Sequence, residues 1–252
     1  MTSPRIAVYC STRSGYPDMS TAAKSLLAHD GADYVYFLTE DDTYPEPLPR
    51  CVRCLNVSDQ DFFTPDGPNH NTQWTWMVLM RTALSQIFTG FDRVLSLDTD
   101  TIVTGNIDRL WMTDLSGKYL AAVPELFGGT RQYPVRPYHN CGVMLMNLRK
   151  LREDGMDLRI IHAINTTDYP YNEQDAVNIL CHGHIAMLQE EYNAMPGNKP
   201  EVPIGKERIR HFIFDKPLMN HELYRRFRRM SWDEAMERKM TGRMKEGNNH
   251  GT

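Results

Sequence analysis

Two carboxylates one residue apart, in Asp98-Thr99-Asp100, follow directly on the strand-like run Arg93-Val-Leu-Ser-Leu97. Paired hard oxygen ligands suit a divalent cation, and a nucleoside diphosphate would add ligands from its phosphates. The same residues also read as turn formers or helix caps, and Asp-x-Asp taken alone is a weak motif. Arg81 is a second candidate. It lies within Trp76-Met-Val-Leu-Met-Arg81, where a buried guanidinium requires an anionic partner. A ligand phosphate or the two aspartates would serve; the alternative is a rim arginine that carries its charge to solvent. Cys51-Val-Arg-Cys54 forms a C-x-x-C, but no second pair of ligands at metal spacing accompanies it. These cysteines read as thiols lining a strand.

Runs rich in β-branched and aromatic residues predict strands at Ile6–Tyr9, Tyr34–Leu38, Val52–Val57, Arg93–Leu97, Tyr119–Val123, Gly142–Met146 and Ile185–Leu188. Helices are predicted at Ser20–Leu27, with Ser20 or Thr21 as N-cap, and at Asp175–Leu180. The clearest helix is Gln73–Phe88. Met77, Met80, Leu84, Ile87 and Phe88 recur at spacings of three and four and form one apolar face, and Thr89-Gly90 ends it. Tyr44 to Pro49 carries three prolines and is predicted to be irregular; Phe62 to Asn71 reads as a loop. Strands alternating with helices predict an α/β domain with a mostly parallel sheet. Ligands gather beyond the carboxyl ends of such strands, which is where Asp98 and Asp100 fall.

The flanks of the motif add a resemblance. Phe91-Asp-Arg-Val-Leu-Ser-Leu-Asp-Thr-Asp-Thr-Ile-Val-Thr-Gly-Asn-Ile107, continuing to Leu110-Trp111, resembles glycosyltransferase family 8, the family of glycogenin and lipopolysaccharide galactosyltransferases. The Arg81 helix resembles that family's helix carrying a donor-contacting basic residue. Tyr138-His-Asn-Cys-Gly-Val-Met-Leu-Met-Asn-Leu148 looks like its Asn-Ser-Gly-Val block, and Asn172-Glu-Gln-Asp-Ala-Val-Asn178 like its acidic-Gln segment. Tyr192-Asn193, Arg210-His-Phe212 and Lys216-Pro217 resemble its last blocks, so the likeness runs in order over residues 6 to 218.

The resemblance implies a GT-A (Rossmann-like) fold, a nucleotide-sugar donor (UDP-glucose or UDP-galactose foremost), Mn²⁺ or Mg²⁺, and transfer with retention of configuration. It implies Asp98, Asp100 and His211 as metal ligands, although a lone histidine is more often a surface or core-edge residue. Lys216 would place a point charge on the diphosphate, with a solvated lysine as the alternative, and Thr99 would join the donor-binding residues. Asn140 and Asp175 would hydrogen-bond the donor sugar. Gln174 or Glu173 would face the anomeric carbon, as nucleophile or as electrostatic support. Glu173 stands where the family usually carries Asp. The trio could also be a polar helix start capped by Asn172. The loop Cys10-Ser-Thr-Arg-Ser-Gly-Tyr16 lacks the family's acidic or Asn-containing character, leaving Thr12 and Tyr16 as candidates to contact uridine. The carboxylate that the family places shortly before its Asn-x-Gly block has no counterpart between Glu125 and Asn140. The block from His211 to Leu218 lacks the usual Gly and final Trp.

The 252 residues, with a formal charge of −4, argue against broad attraction to nucleic acid. The predicted organisation is a catalytic domain over 1–218 and a helical, basic tail over 219–252 with a frayed end. In Leu223–Trp232, Arg225, Arg226, Arg228 and Arg229 lie among Tyr224, Phe227 and Trp232. Wound as a helix, this segment either meets an anionic membrane surface or docks by its apolar face, with Asp233, Glu234 and Glu237 offsetting its charge. No run approaches the ~18 apolar residues of a spanning helix, and the N-terminus lacks a signal-like apolar stretch. Five scattered cysteines suggest reduced thiols and a cytoplasmic protein, peripheral to the membrane at most. Two other functions compete. A sugar-1-phosphate nucleotidyltransferase would want a Gly-rich basic loop where Cys10 to Tyr16 has one Gly and one Arg. A non-catalytic nucleotide-sugar-binding protein would not need Asp98, Asp100 and His211 together.

Overall fold

In β1 (Ile6–Cys10), neighbouring residues serve opposite faces: Ala7 and Tyr9 join one apolar cluster, Ile6 and Val8 another. A computed structural model describes residues 3–126, 135–198, 201–213 and 215–249, with side chains described as far as 242. The chain continues through α1 (Tyr16–Ala28), β2 (Tyr34–Thr39), β3 (Val52–Asn56), a 3₁₀ helix (Trp76–Ala83), α2 (Leu84–Ile87) and β4 (Arg93–Leu97). Next come β5 (Thr101–Val103), α3 (Asp108–Trp111), β6 (Leu120–Pro124), β7 (His139–Asn147), α4 (Leu148–Glu153) and α5 (Met156–Thr166). After these follow α6 (Asn172–Leu180), β8 (Ile185–Met187), β9 (Ile209–His211), α7 (Glu222–Arg229) and α8 (Trp232–Asn249).

Seven strands form one sheet in the order β3-β2-β1-β4-β7-β6-β8. β1 runs parallel to β2 and β4, β2 to β3, and β6 to β8. β7 is antiparallel to both β4 and β6. The sheet is thus mostly parallel, as the alternation of elements predicts, with one reversed strand. That reversal brings the first residues of β7 to the same edge as the carboxyl ends of β1, β4 and β6. Both faces are covered: Leu95, Val143 and Leu145 pack toward α1, whereas Val94, Met144 and Met146 pack toward α2, α4 and α5. Burial on two faces explains why these strands read as continuous apolar runs.

Three sequence expectations change. α1 starts at Tyr16, with Gly15 as N-cap and Pro17 in its first turn, rather than at a Ser20 or Thr21 cap. Proline's fixed φ suits that position, and the two hydroxyls lie inside the helix, Thr21 Oγ1 donating to the Pro17 carbonyl and Ser20 Oγ 2.7 Å from the Tyr44 hydroxyl. The helix read from Gln73 is mostly 3₁₀ and begins at Trp76. Thr82 Oγ1 and Arg81 Nε donate to carbonyls three residues back, contacts that favour the tighter turn. Tyr171, not Asn172, is the N-cap of α6.

The basic segment is helical and docked. Tyr224, Phe227 and Met230 bury themselves in a cluster with Ile102, Phe212 and Leu218, while Trp232 joins the core on α1. Arg225 and Arg229 pair with Glu222 at 2.8 and 3.0 Å. The apolar face is therefore committed to the domain, leaving only charge outward. No helix among the described residues is long and apolar enough to cross a membrane. The end of the tail expected to fray lies largely outside the described side chains.

Candidate active site

β4 ends at Leu97, and Asp98 continues its line, its backbone N–H donating to the Gly142 carbonyl of β7 at 2.8 Å. The turn closes when Thr101 Oγ1 donates to the Asp98 carbonyl, and β5 then pairs Thr101 with His211 of β9. That small two-stranded sheet carries His211 to the aspartates. His211 Nε2 lies 3.2 Å from Asp100 Oδ1 and 3.6 Å from Asp98 Oδ2. One ligand atom from each of the three residues falls within 4.8 Å of the others. Space for this meeting comes from Gly142: a Cβ there would sit 2.3 Å from His211 Cε1 and 2.8 Å from Asp98 Oδ2. Two carboxylates and an imidazole fit Mn²⁺ or Mg²⁺, Mn²⁺ tolerating the nitrogen better.

The electrostatics match such a role. Burial disfavours the Asp100 carboxylate, but His211 and Lys216 outweigh it and hold its pKa well below the usual range. Burial likewise works against the charged imidazole, but Asp100 and Asp98 prevail and raise the pKa of His211. Lys216 Nζ sits 2.7 Å from Asp100 Oδ2. Because water can replace a neutral imidazole ligand, His211→Ala is expected to raise the Mn²⁺ requirement while retaining more activity than loss of either aspartate. A titration of activity against Mn²⁺ checks this; an unchanged curve would remove His211 from the site.

Arg81 projects from the 3₁₀ helix, only 7% exposed. It ion-pairs with Asp98, reaches Glu173 at 3.5 Å, and donates to the Cys141 carbonyl at 2.7 Å. Of the motif's two carboxylates, Asp98 is the one that Arg81 engages. Burial and the charge of Asp98 push the Glu173 carboxyl up to about 7, against the pull of Arg81.

Beside Asp98, Asp100 and His211 lies a polar wall. Asn140 Nδ2 donates to Glu125 Oε2 at 2.9 Å, and Gln174 Nε2 donates to the same oxygen at 3.2 Å. Gln174 Oε1 accepts from the Cys141 N–H. Glu125 is the residue that sequence reasoning missed. It directly follows β6, and the antiparallel β6–β7 pairing sets it next to Asn140. The available signal was a carboxylate two residues past a predicted strand.

These groups line a cleft of ≈ 470 Å³ with Cys10, Ser11, Thr12, Ser14, Thr99 and Lys216, a volume suited to a small-molecule ligand. Two expected residues are elsewhere. Tyr16 is buried against Tyr44 and hydrogen-bonded around Glu40 and Asp41, so it does not line the cleft. Asp175 is fully buried, accepting from the Tyr138 hydroxyl and the Tyr171 N–H, and supports the wall from behind. Neither C-x-x-C residue lines the cleft, and the Cys51 thiol instead meets Met236 Sδ at 3.6 Å.

A family profile described as "Glycosyl transferase family 8" matches residues 43–219. Among curated proteins, the chain is similar to the glycosyltransferase GlyE of Streptococcus pneumoniae serotype 4, 26% identical over 96% of this chain and 59% of that one. It superposes on the crystal structure of GlyE with a TM-score of 0.71, at 20% identity, covering 95% of this chain and 64% of that one. It also superposes on the galactosyltransferase LgtC in complex with donor and acceptor sugar analogs, with a TM-score of 0.66 at 20% identity, covering 91% and 95%. At these identities the structural likeness is one of fold, and the fold is GT-A. The chain spans about half the length of the curated relatives it matches, 39%, 59% and 45% for three of them.

Proposed function

The chain belongs to glycosyltransferase family 8, and on that premise we propose that it transfers a hexose from a UDP-sugar to an acceptor, with a divalent cation and with retention of configuration. The observation that carries this reading is the convergence of Asp98, Asp100 and His211 on one side of a cleft whose other wall is Glu125, Asn140 and Gln174. UDP-glucose and UDP-galactose are the donors of choice.

A cation held by Asp98, Asp100 and His211 would neutralise charge collecting on the departing diphosphate. Lys216, half exposed, is free to leave Asp100 and meet the phosphates as a second positive charge. Thr12, Ser14 and Thr99 offer hydroxyls to the nucleotide along the cleft. Glu125 and Asn140 stand where they can read sugar hydroxyls. Positive charge developing at the anomeric carbon finds the Glu125 carboxylate and the Gln174 amide oxygen fixed by their own hydrogen bonds, so little reorganisation is needed. Glu173 is a poor nucleophile here, being buried and paired with Arg81 at 3.5 Å. The reading therefore favours electrostatic support of a cationic sugar over a covalent intermediate on Glu173. That none of the five cysteines is disulfide-bonded supports a cytoplasmic setting. Contact of Arg225–Arg229 with an anionic membrane would rest on charge alone and be released by salt.

Incubation with a panel of nucleotide-sugars, with and without Mn²⁺, tests the proposal. The expected result is slow, Mn²⁺-dependent release of UDP from a UDP-hexose. Binding without release would point to a non-catalytic binder, and pyrophosphate-dependent formation of a nucleoside triphosphate to a nucleotidyltransferase.

A further inference from the structure

Behind His211 runs a chain of buried amides that fixes which imidazole nitrogen faces the aspartates. Asn193, 1% exposed, places Oδ1 2.9 Å from His211 Nδ1 and donates from Nδ2 to Asn140 Oδ1 at 2.9 Å. Asn140 in turn donates from Nδ2 to Glu125 Oε2. The direction of every bond follows from one group of unambiguous polarity. The backbone N–H of Gly142 can only donate, and it donates to Asn140 Oδ1 at 2.9 Å. This orients the Asn140 amide, so Asn193 must turn its NH₂ toward Asn140 and its carbonyl oxygen toward His211. An oxygen at that place demands a proton on Nδ1, and a neutral imidazole protonated there presents a bare lone pair at Nε2, the nitrogen nearest Asp98 and Asp100. The backbone holds the pair together, with Ala194 N–H donating to the Ile209 carbonyl and His211 N–H to the Ala194 carbonyl.

We propose that Asn193 is a positioning residue for the cation site, locking the ring and tautomer of His211 so that Nε2 is the ligating nitrogen. The proposal rests on the metal-dependent reading above. Metal-ligating histidines generally direct their second nitrogen to a fixed acceptor, and losing it costs about 10- to 100-fold in metal affinity. In the parent, Glu125 at the far end of the relay also faces the cleft, so the cation ligand and the sugar-facing carboxylate share one hydrogen-bonded frame.

The test is direct binding of Mn²⁺ alone, read from the electron paramagnetic resonance signal of the free ion, so that it does not depend on turnover. Asn193→Ala is expected to raise the Kd about 10- to 100-fold. Asn193→Asp keeps an acceptor oxygen for Nδ1–H but turns its second oxygen on Asn140 Oδ1, so its Kd should fall between those of the parent and Asn193→Ala. In a His211→Ala background Asn193→Ala should have little further effect. Equal weakening by Asn193→Ala and Asn193→Asp, or an undiminished effect without His211, overturns the positioning role while leaving the metal site standing. A parent that binds no Mn²⁺, alone or with UDP, sinks the metal-dependent reading itself.

Discussion

Asp98→Asn and Asp100→Asn are each expected to cut transfer by about a thousandfold or more while leaving the protein folded. Both residues sit past the end of β4 rather than in its apolar body, with 27% and 16% of their side chains exposed. Asparagine preserves shape and removes the charge that attracts a cation. Losing Lewis-acid stabilisation worth several kcal/mol translates, at about 1.4 kcal/mol per decade, into roughly three orders of magnitude. The two variants should differ in their side effects. Asp98 is an ion-pair partner of buried Arg81, so its loss should also lower the melting temperature. Asp100 instead faces His211 and half-exposed Lys216, which favour its ionised form, so its loss should remove stability that the parent gives up only in strong acid. Donor hydrolysis at saturating Mn²⁺, paired with thermal melts, separates these effects. Full activity of both variants at low Mn²⁺ would remove the central claim.

Asp98 and Asp100 were legible because strand periodicity ends at Leu97 and the next residues must fall on the sheet's ligand edge. His211 was legible only through resemblance, since what brings it to the aspartates is the short β5–β9 pairing, which leaves no periodic signal in three-residue strands. Glu125 escaped for a related reason. A search along the chain for a carboxylate near Asn140 looks in the connection, whereas the reversed direction of β7 folds the end of β6 beside it. Tyr16 and Asp175 erred the other way. Each lies next in sequence to cleft residues, but Tyr16 is the first residue of α1 and turns its ring onto Tyr44, and Asp175 lies on the buried face of α6. Helical register, not sequence proximity, decides which neighbour faces a cleft.

The second large effect concerns Arg81, and it is one of stability. Arg81→Ala is expected to destabilise the metal-free protein by about 3–5 kcal/mol, the usual cost of removing one partner from a buried ion pair. What remains is Glu173, 6% exposed, with its cation gone. A buried carboxylate in that position takes up a proton, so the loss should depend on pH. In the parent the Glu173 carboxyl is already raised from 4.5 to about 7. The folded protein therefore binds more protons than the unfolded chain between those values. Its contribution to stability is fully present below the unfolded value and is lost as pH rises through the folded one. Arg81 opposes the rise, so removing it moves the folded value higher and extends the window of loss upward. The deficit of Arg81→Ala should accordingly be smaller near about pH 5, where only the Asp98 pair is lost, and largest near about pH 8. Adding Glu173→Gln to Arg81→Ala should recover much of the loss at the higher pH, because an amide needs no buried cation. Denaturant midpoints of the parent, the single variant and the double variant at both pH values decide the matter. A deficit that ignores pH, together with no recovery in the double variant, would assign the role of Arg81 to Asp98 and the Cys141 carbonyl instead of to Glu173.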